Sequence, residues 1–175
     1  MSNWPKRMLF LHLDDEADRI YGIPRAMRRL CLDALDCEVL GHPMHANADK
    51  TEFTFTLKRD GQATEVQYRI FETTDALLAV AAADLTQAVF VIDLMLNDSG
   101  PQEGIRACRG LLERNVGRDK IFVLTGYGRE ARQALDGLIS PDHIHIKPIS
   151  IFQLIPVLTQ AAGLPLPPLD GGDHD

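Results

Sequence analysis

The sequence has few cysteines, fewer basic than acidic residues and no apolar run at its N-terminus. Cys31, Cys37 and Cys108 form an odd number without the spacing of a metal site, which disfavours a disulfide framework and a structural zinc site. The 25 acidic and 18 basic residues give a net charge of -7, which disfavours nonspecific binding to nucleic acid or to an anionic membrane. Without a signal run, we expect a reduced, soluble, cytoplasmic protein whose partners are small molecules or proteins.

The length and the hydrophobic content predict one domain. A chain of 175 residues that is 45% hydrophobic is long enough for one core and too short for two. We expect this domain to span residues 1–163. The segment after Gly163, LPLPPLDGGDHD, is Pro-rich and then acidic and has no helical or strand pattern, so residues 164–175 are expected to form a tail.

Short apolar runs alternate along the chain with helical patterns, which is typical of strand–helix–strand units around a mostly parallel sheet. Four runs are short enough to be buried strands: Met8 to Leu13, Ala88 to Ile92, Lys120 to Leu124 and His143 to Ile146. Helices are predicted from Pro24, from Ser99 or Gly100, around Ala131 and from Ser150. The sequence therefore predicts a doubly wound α/β fold.

The segment from about 45 to 71 breaks this alternation of strands and helices. TEFTFTLKRDGQATEVQYRIF alternates with a period of two around Asp60 and Gly61, which predicts a β-hairpin. Its second arm, Glu65 to Phe71, leads into the helical pattern TDALLAVAAA, so we take that arm as the parallel edge strand and the first arm as an antiparallel addition. The alternative makes Cys37 to Gly41 the parallel strand and the hairpin a pure insertion; the sequence alone leaves both open.

Polar side chains stand at the ends of the four apolar runs. The first run ends in Asp14 and Asp15 (LFLHLDDEAD), the second in Asp93 (FVIDLMLNDSG), the third in Thr125 (FVLTGYG) and the fourth in Lys147 (HIHIKPIS). In an open parallel sheet the ligand crevice lies beyond the carboxyl ends of the strands, so these residues should converge on one site. Carboxylates, a hydroxyl and an ammonium together suit a divalent cation and a phosphoryl group.

In these residues and their order, the chain resembles a response-regulator receiver domain over nearly its whole length, apart from the hairpin region and the tail. The resemblance implies a flavodoxin-like sheet of five parallel strands in the order 2-1-3-4-5, with the hairpin added before the second helix. It also implies that the bond between Lys147 and Pro148 is cis, and that the small Gly126 leaves room for a phosphate.

The resemblance implies a phosphoryl acceptor. Asp93 would take the group from a histidine kinase or a histidine phosphotransfer protein as an aspartyl phosphate, a covalent route open to carboxylate nucleophiles. Lys147 would pair with the carboxylates beforehand, and Lys147 and Thr125 would contact the phosphate oxygens afterwards. We expect self-phosphorylation from a small phosphodonor and autodephosphorylation at Asp93, although the chain is not a classical enzyme.

Magnesium is the expected cofactor. It requires near-octahedral oxygen ligation and keeps several waters. Asp14, Asp15, Asp93 and the backbone carbonyl of Met95 would therefore hold it without a complete protein cage. His12, His143 and His145 are expected to be ordinary core or surface histidines rather than metal ligands.

Two positions depart from the family pattern. Asn97 stands four residues past the acceptor, where the family usually has proline, and Ile144 stands three residues before Lys147, where the family normally has an aromatic switch. Ile144 argues for the alternative: a degenerate receiver-like interaction or dimerisation module that phosphate does not regulate. A phosphatase of the haloacid dehalogenase type is set aside, because it needs a second aspartate where this chain has Met95.

Without an effector domain, the output is expected to be a protein contact, a phosphorelay step or a partner encoded elsewhere. The near-continuous apolar character of ISIFQLIPVL indicates that the last helix has one face for the core and another for a partner. We hypothesise a homodimer through this helix.

Overall fold

The computed structural model describes residues 4–16, 22–38, 43–96, 100–126 and 128–167. Within these residues, a sheet of seven strands is flanked by six helices. The strands are β1 Arg7–Leu13, β2 His45–Ala46, β3 Glu52–Arg59, β4 Gln62–Phe71, β5 Val89–Asp93, β6 Ile121–Thr125 and β7 Ile144–Ile146. The helices are α1 Gly22–Ala34, α2 Thr74–Leu78, α3 Ala82–Gln87, α4 Gln102–Glu113, α5 Gly128–Ala134 and α6 Ile151–Ala161.

The sheet is mostly parallel and has the order β2-β3-β4-β1-β5-β6-β7. Strands β4, β1, β5, β6 and β7 pair in parallel, whereas β2–β3 and β3–β4 pair antiparallel. The sheet thus has seven strands rather than the five predicted, and its order differs from 2-1-3-4-5 because β2 and β3 are added beyond β4. The first hairpin arm is the antiparallel addition β3, which buries Phe53, Phe55 and Leu57 in the core.

The hairpin itself is confirmed, with its turn at Asp60 and Gly61. Both residues have positive φ, 51° and 75°, as a two-residue turn that follows the twist of its strands requires. Strand β4 pairs with β1 from Arg7 beside Glu65 to Leu13 beside Phe71. Of the two alternatives, the second arm is therefore the parallel neighbour of β1.

The core forms two layers, one on each face of the sheet. Alternate residues of β1 divide between them, with Met8 and Phe10 in one layer and Leu9, Leu11 and Leu13 in the other. Helices α1 and α6 cover the first layer, and α2 to α5 cover the second. Because both faces are covered, the central strands β5 and β6 are buried along their length and carry polar groups only at their last residues, Asp93 and Thr125.

The last helix begins where the sequence predicts. The hydroxyl of Ser150 accepts a hydrogen bond from the backbone N–H of Phe152 at 3.3 Å and so caps α6. Among the described residues, none of the helices has the length and apolar character that crossing a bilayer requires. Residues 168–175 of the predicted tail lie outside the described residues.

Candidate functional site

The candidate site lies at the carboxyl edge of the parallel strands. Asp14 directly follows β1, Asp93 and Thr125 are the last residues of β5 and β6, and Lys147 directly follows β7. The register brings these ends level, with Asp93 beside Leu124 and Thr125 beside Ile146. The convergence of the strand ends follows from this parallel pairing.

The ammonium of Lys147 joins two buried carboxylates. Its Nζ lies 2.8 Å from Oδ2 of Asp93 and 3.6 Å from Oδ2 of Asp14. The two aspartates are only 5% and 4% exposed, whereas the lysine side chain is 39% exposed. Lys147 therefore approaches from the solvent side and supplies the charge that two neighbouring buried carboxylates need.

Backbone amides orient the same two carboxylates. Oδ1 of Asp14 accepts a hydrogen bond from the N–H of Glu16 at 2.8 Å, and Oδ1 of Asp93 accepts one from the N–H of Met95 at 3.1 Å. In each case the donor N–H is two residues further along the chain. This hydrogen bond closes a local turn that aspartate favours. One oxygen of each carboxylate is thus held by the chain, and the other faces Lys147.

Burial, hydrogen bonds and neighbouring charges shift the pKa values of two groups of the site. Burial raises the pKa of Asp14, and the N–H of Glu16 and the charge of Lys147 oppose this rise. Burial alone would lower the pKa of Lys147, but its hydrogen bond to Asp93 and the charges of Asp93 and Asp14 raise it overall. Lys147 is therefore charged at neutral pH, and the carboxylate of Asp14 is incompletely compensated.

The donor chemistry of the site fits a hard cation. Magnesium is commonly held by one or two protein carboxylates together with waters and phosphate oxygens. Asp14 and Asp93 supply two such carboxylates side by side, and the desolvated Asp14 gains from any added positive charge. The described residues nevertheless contain no cluster of three His, Cys, Asp or Glu side chains arranged for a metal. Asp15, half-buried beside Asp14, does not complete a ready-made triad.

Thr125 is fully buried at the end of β6 and accepts, through its backbone carbonyl, the N–H of Lys147 at 2.8 Å. It lines an apolar cavity of about 180 Å³ with Leu94, Met95, Pro101, Glu130 and Ala131. A Cβ added to the next residue, Gly126, would meet nothing within 4 Å. The structure thus leaves space beside Thr125.

Of the two positions that depart from the receiver-domain pattern, the structure describes one, Ile144. Ile144 is 5% exposed and packs in the core layer under α2 to α5, beside Val123 of β6. Asn97 lies outside the described residues. The Lys147–Pro148 bond is cis, as the resemblance implied.

A polar pair that the sequence did not predict lies beneath the site. His12 is a buried core histidine, as expected, but it contacts Tyr68 and lies near Asp14. A signal was present: residues two apart on a strand share a face, so His12 and Asp14 point to the same side of β1. Tyr68, 56 positions further along, is brought there by the pairing of β4 with β1.

The fold is that of a receiver-like α/β domain. A response regulator receiver domain from Rhodospirillum rubrum is similar in fold, with a TM-score of 0.50 and 14% identity over 91% of this chain and 97% of that one. A sensor protein from Polaromonas sp. JS666 is similar with a TM-score of 0.51 and 16% identity over 89% of this chain and 96% of that one. No protein-family model and no curated protein matches the chain. At these identities the likeness shows the fold alone.

Proposed function

We propose that this protein is a stand-alone receiver whose Asp93 accepts a phosphoryl group from a histidine kinase or a histidine phosphotransfer protein. The observation that carries the proposal is the contact of Lys147 with Oδ2 of Asp93 at 2.8 Å, next to a second buried carboxylate, Asp14. A carboxylate at a strand end, paired with a lysine and adjacent to a second acid, is a suitable nucleophile for phosphorus. The output is a contact with a downstream protein.

The transfer step requires little from the protein besides positioned charge. An oxygen of Asp93 forms a bond to phosphorus while the bond from phosphorus to the donor breaks, and the electron pair leaves with the donor. The ammonium of Lys147 is already 2.8 Å from the nucleophile, so it stays beside the oxygens that gain charge. A Cβ at Gly126 would meet nothing within 4 Å, so open space for the added group lies next to Thr125.

Magnesium is the cofactor that we propose, held by Asp14, Asp15, Asp93 and the backbone carbonyl of Met95. When bound, it offsets the charge of the transferring oxygens. The residues of the chain orient the acids: the N–H groups of Glu16 and Met95 each hold one carboxylate oxygen.

Intact-mass measurement tests the proposal. The protein is incubated with acetyl phosphate and Mg²⁺, and we expect one added phosphoryl group, which Asp93→Asn abolishes. Asp136→Asn, which neutralises an exposed carboxylate away from the site, is the matched control and should keep the full signal. A full signal in Asp93→Asn would overturn the assignment of the acceptor.

Ile144 favours a second candidate, a receiver-like interaction module that phosphate does not regulate. The aliphatic side chain is packed in the core and offers no ring to change position with a phosphate. If the folded wild-type protein gains no mass with acetyl phosphate and Mg²⁺, while circular dichroism shows it intact, this second function is the correct one.

A further inference from the structure

His12 and Tyr68 form a polar pair in the core beneath Asp14. Both residues are fully buried, and Nδ1 of His12 lies 2.7 Å from the hydroxyl of Tyr68. The second ring nitrogen, Nε2, has no hydrogen-bond partner in the described part of the chain and lies 3.9 Å from Oδ2 of Asp14. A buried polar atom without a partner is rare in native proteins, so its position requires a physical reason.

The partners decide which nitrogen carries the proton. His12 is fully buried, and burial disfavours a charged imidazolium, so the ring is taken as neutral with one N–H. If Nδ1 carried it, the Nε2 lone pair would face the carboxylate of Asp14, and the hydroxyl proton of Tyr68 would need another acceptor. If Tyr68 donates to Nδ1, the hydroxyl proton has its acceptor and the Nε2–H lies 3.9 Å from the carboxylate of Asp14.

We propose that Tyr68 and His12 are positioning residues for Asp14. Tyr68 fixes the Nε2–H tautomer of His12, and that N–H is directed at Oδ2 of Asp14. The part of this inference that concerns magnesium rests on the proposed function, in which Asp14 is a cation ligand. Outer partners of this kind orient a ligand and tune its affinity for the metal.

A neutral donor is well suited to this position. Oδ1 of Asp14 is held by the N–H of Glu16, and Oδ2 faces both Lys147 at 3.6 Å and His12 at 3.9 Å. A second full positive charge behind Asp14 would repel a divalent cation, whereas an uncharged N–H favours the ionised carboxylate without that repulsion. The pair thus places an uncharged N–H behind Asp14 and leaves the charge of the acid for the cation.

A purely structural role is the competing explanation. The ring of Tyr68 stacks on Phe10 at 5.9 Å and meets His12 edge-on at 5.9 Å, so the pair also packs β4 against β1. Loss of packing would change the stability of the protein without changing the state of the His12 ring or the affinity for magnesium. The test therefore needs those two readouts.

The test uses the full chain without phosphodonor. The tautomer of His12 is read from the ¹⁵N chemical shifts of its ring, and Mg²⁺ affinity is read by calorimetry. We expect the Nε2–H form in the wild type, a mixture of tautomers in Tyr68→Phe, and a loss of affinity of about tenfold in Tyr68→Phe and in His12→Leu. Thr159→Val removes a buried hydroxyl that bonds within α6, at Ile155, and is the matched control: it should change neither readout.

The outcomes separate this inference from the proposed function. An Nδ1–H tautomer in the wild type, or unchanged tautomer and affinity in Tyr68→Phe, overturns the inference even if Asp93 is phosphorylated normally. A wild type that binds no Mg²⁺ overturns it together with the proposed cofactor. If Asp93 takes no phosphate but both readouts change in Tyr68→Phe, the inference stands and the proposed function fails.

Discussion

Lys147 supplies the positive charge for two acids that are otherwise removed from water. Removing one partner of a buried ion pair leaves the other charge uncompensated. The resulting loss in the free energy of unfolding depends on how well solvent reaches the remaining charge. Because the lysine side chain is 39% exposed, solvent screens the interaction, and Lys147→Gln should lower the free energy of unfolding by about 1–2 kcal/mol.

Urea unfolding in EDTA measures this loss, with Lys6→Gln, at an exposed position away from the site, as the control that should show none. Added Mg²⁺ should restore part of the stability of Lys147→Gln, since a bound cation replaces the missing ammonium. Equal stability of the variant and the wild type in EDTA contradicts a structural role for the ion pairs of Lys147.

Gly104 lets α4 approach the end of β5 that carries Asp93. A Cβ at this position would lie 2.7 Å from the carbonyl oxygen of Asp93 and 2.9 Å from the side chain of Leu94. Gly104→Ala should therefore lower the free energy of unfolding, measured by urea, by about 1–3 kcal/mol. Gly22→Ala is the matched control, because a Cβ there meets nothing within 4 Å, and any loss as large in that variant would argue against the close approach.

At the residue scale, the sequence is informative about the strand ends and silent about the pair beneath them. Asp14, Asp93, Thr125 and Lys147 each follow an apolar run, and the geometry of parallel sheets then brings them together. The contact of His12 with Tyr68 depends on the register between β1 and β4, which places Phe10 beside Tyr68 and His12 beside Ile70. No local pattern encodes that register.

The hairpin is the element in which local sequence and tertiary packing agree most closely. Asp60 and Gly61 both adopt positive φ, which glycine tolerates freely and aspartate accepts at small energetic cost. Gly61→Ala should lower the free energy of unfolding by about 1 kcal/mol, measured by urea unfolding. Asp60→Asn should be nearly neutral, because asparagine also tolerates this conformation, and a large loss in that variant would show that the turn is held by something other than backbone conformation.

The hydrophobic pattern of the sequence does not predict the full extent of the sheet. Strand β3 has the period-two alternation of a strand, and its burial depends on Phe53, Phe55 and Leu57 meeting α1 across the core layer. Strand β2 is only the pair His45–Ala46, both exposed, and exists through its pairing with Phe53 and Thr54. Two exposed residues carry no hydrophobic period from which a strand is predicted.

At the scale of the whole molecule, the outer side of α6 leaves apolar groups in solvent. Phe152 is 59% exposed and Ile151 is 37% exposed, beside a cavity of about 390 Å³ that Arg25, Arg29 and Asp33 of α1 also line. We expect a homodimer through α6, since exposed aromatic side chains are frequent anchors of protein contacts. Light scattering should give twice the monomer mass for the wild type and the monomer mass for Phe152→Asp; a monomeric wild type at high concentration, with and without phosphate, contradicts the dimer.

The two core layers offer a test of whether the molecule unfolds as one unit. Cys31 lies in the layer under α1 and α6, and Cys108 lies in the layer under α2 to α5. Burial raises the pKa of each thiol to about 12, so the reactive thiolate is scarce in the native state. At pH 8, a thiol reagent should label both cysteines far more slowly than in urea.

The rates at the two positions then report how the layers are coupled. The strands between the layers contribute alternate residues to each, so opening one face removes support from the other, and we expect equal labelling rates limited by global unfolding. Peptide mapping by mass spectrometry measures the two rates separately. Gly104→Ala, which acts in the layer of Cys108, should accelerate both equally; acceleration at Cys108 alone would show that the layer under α2 to α5 opens by itself, and that the sheet does not transmit stability from one face to the other.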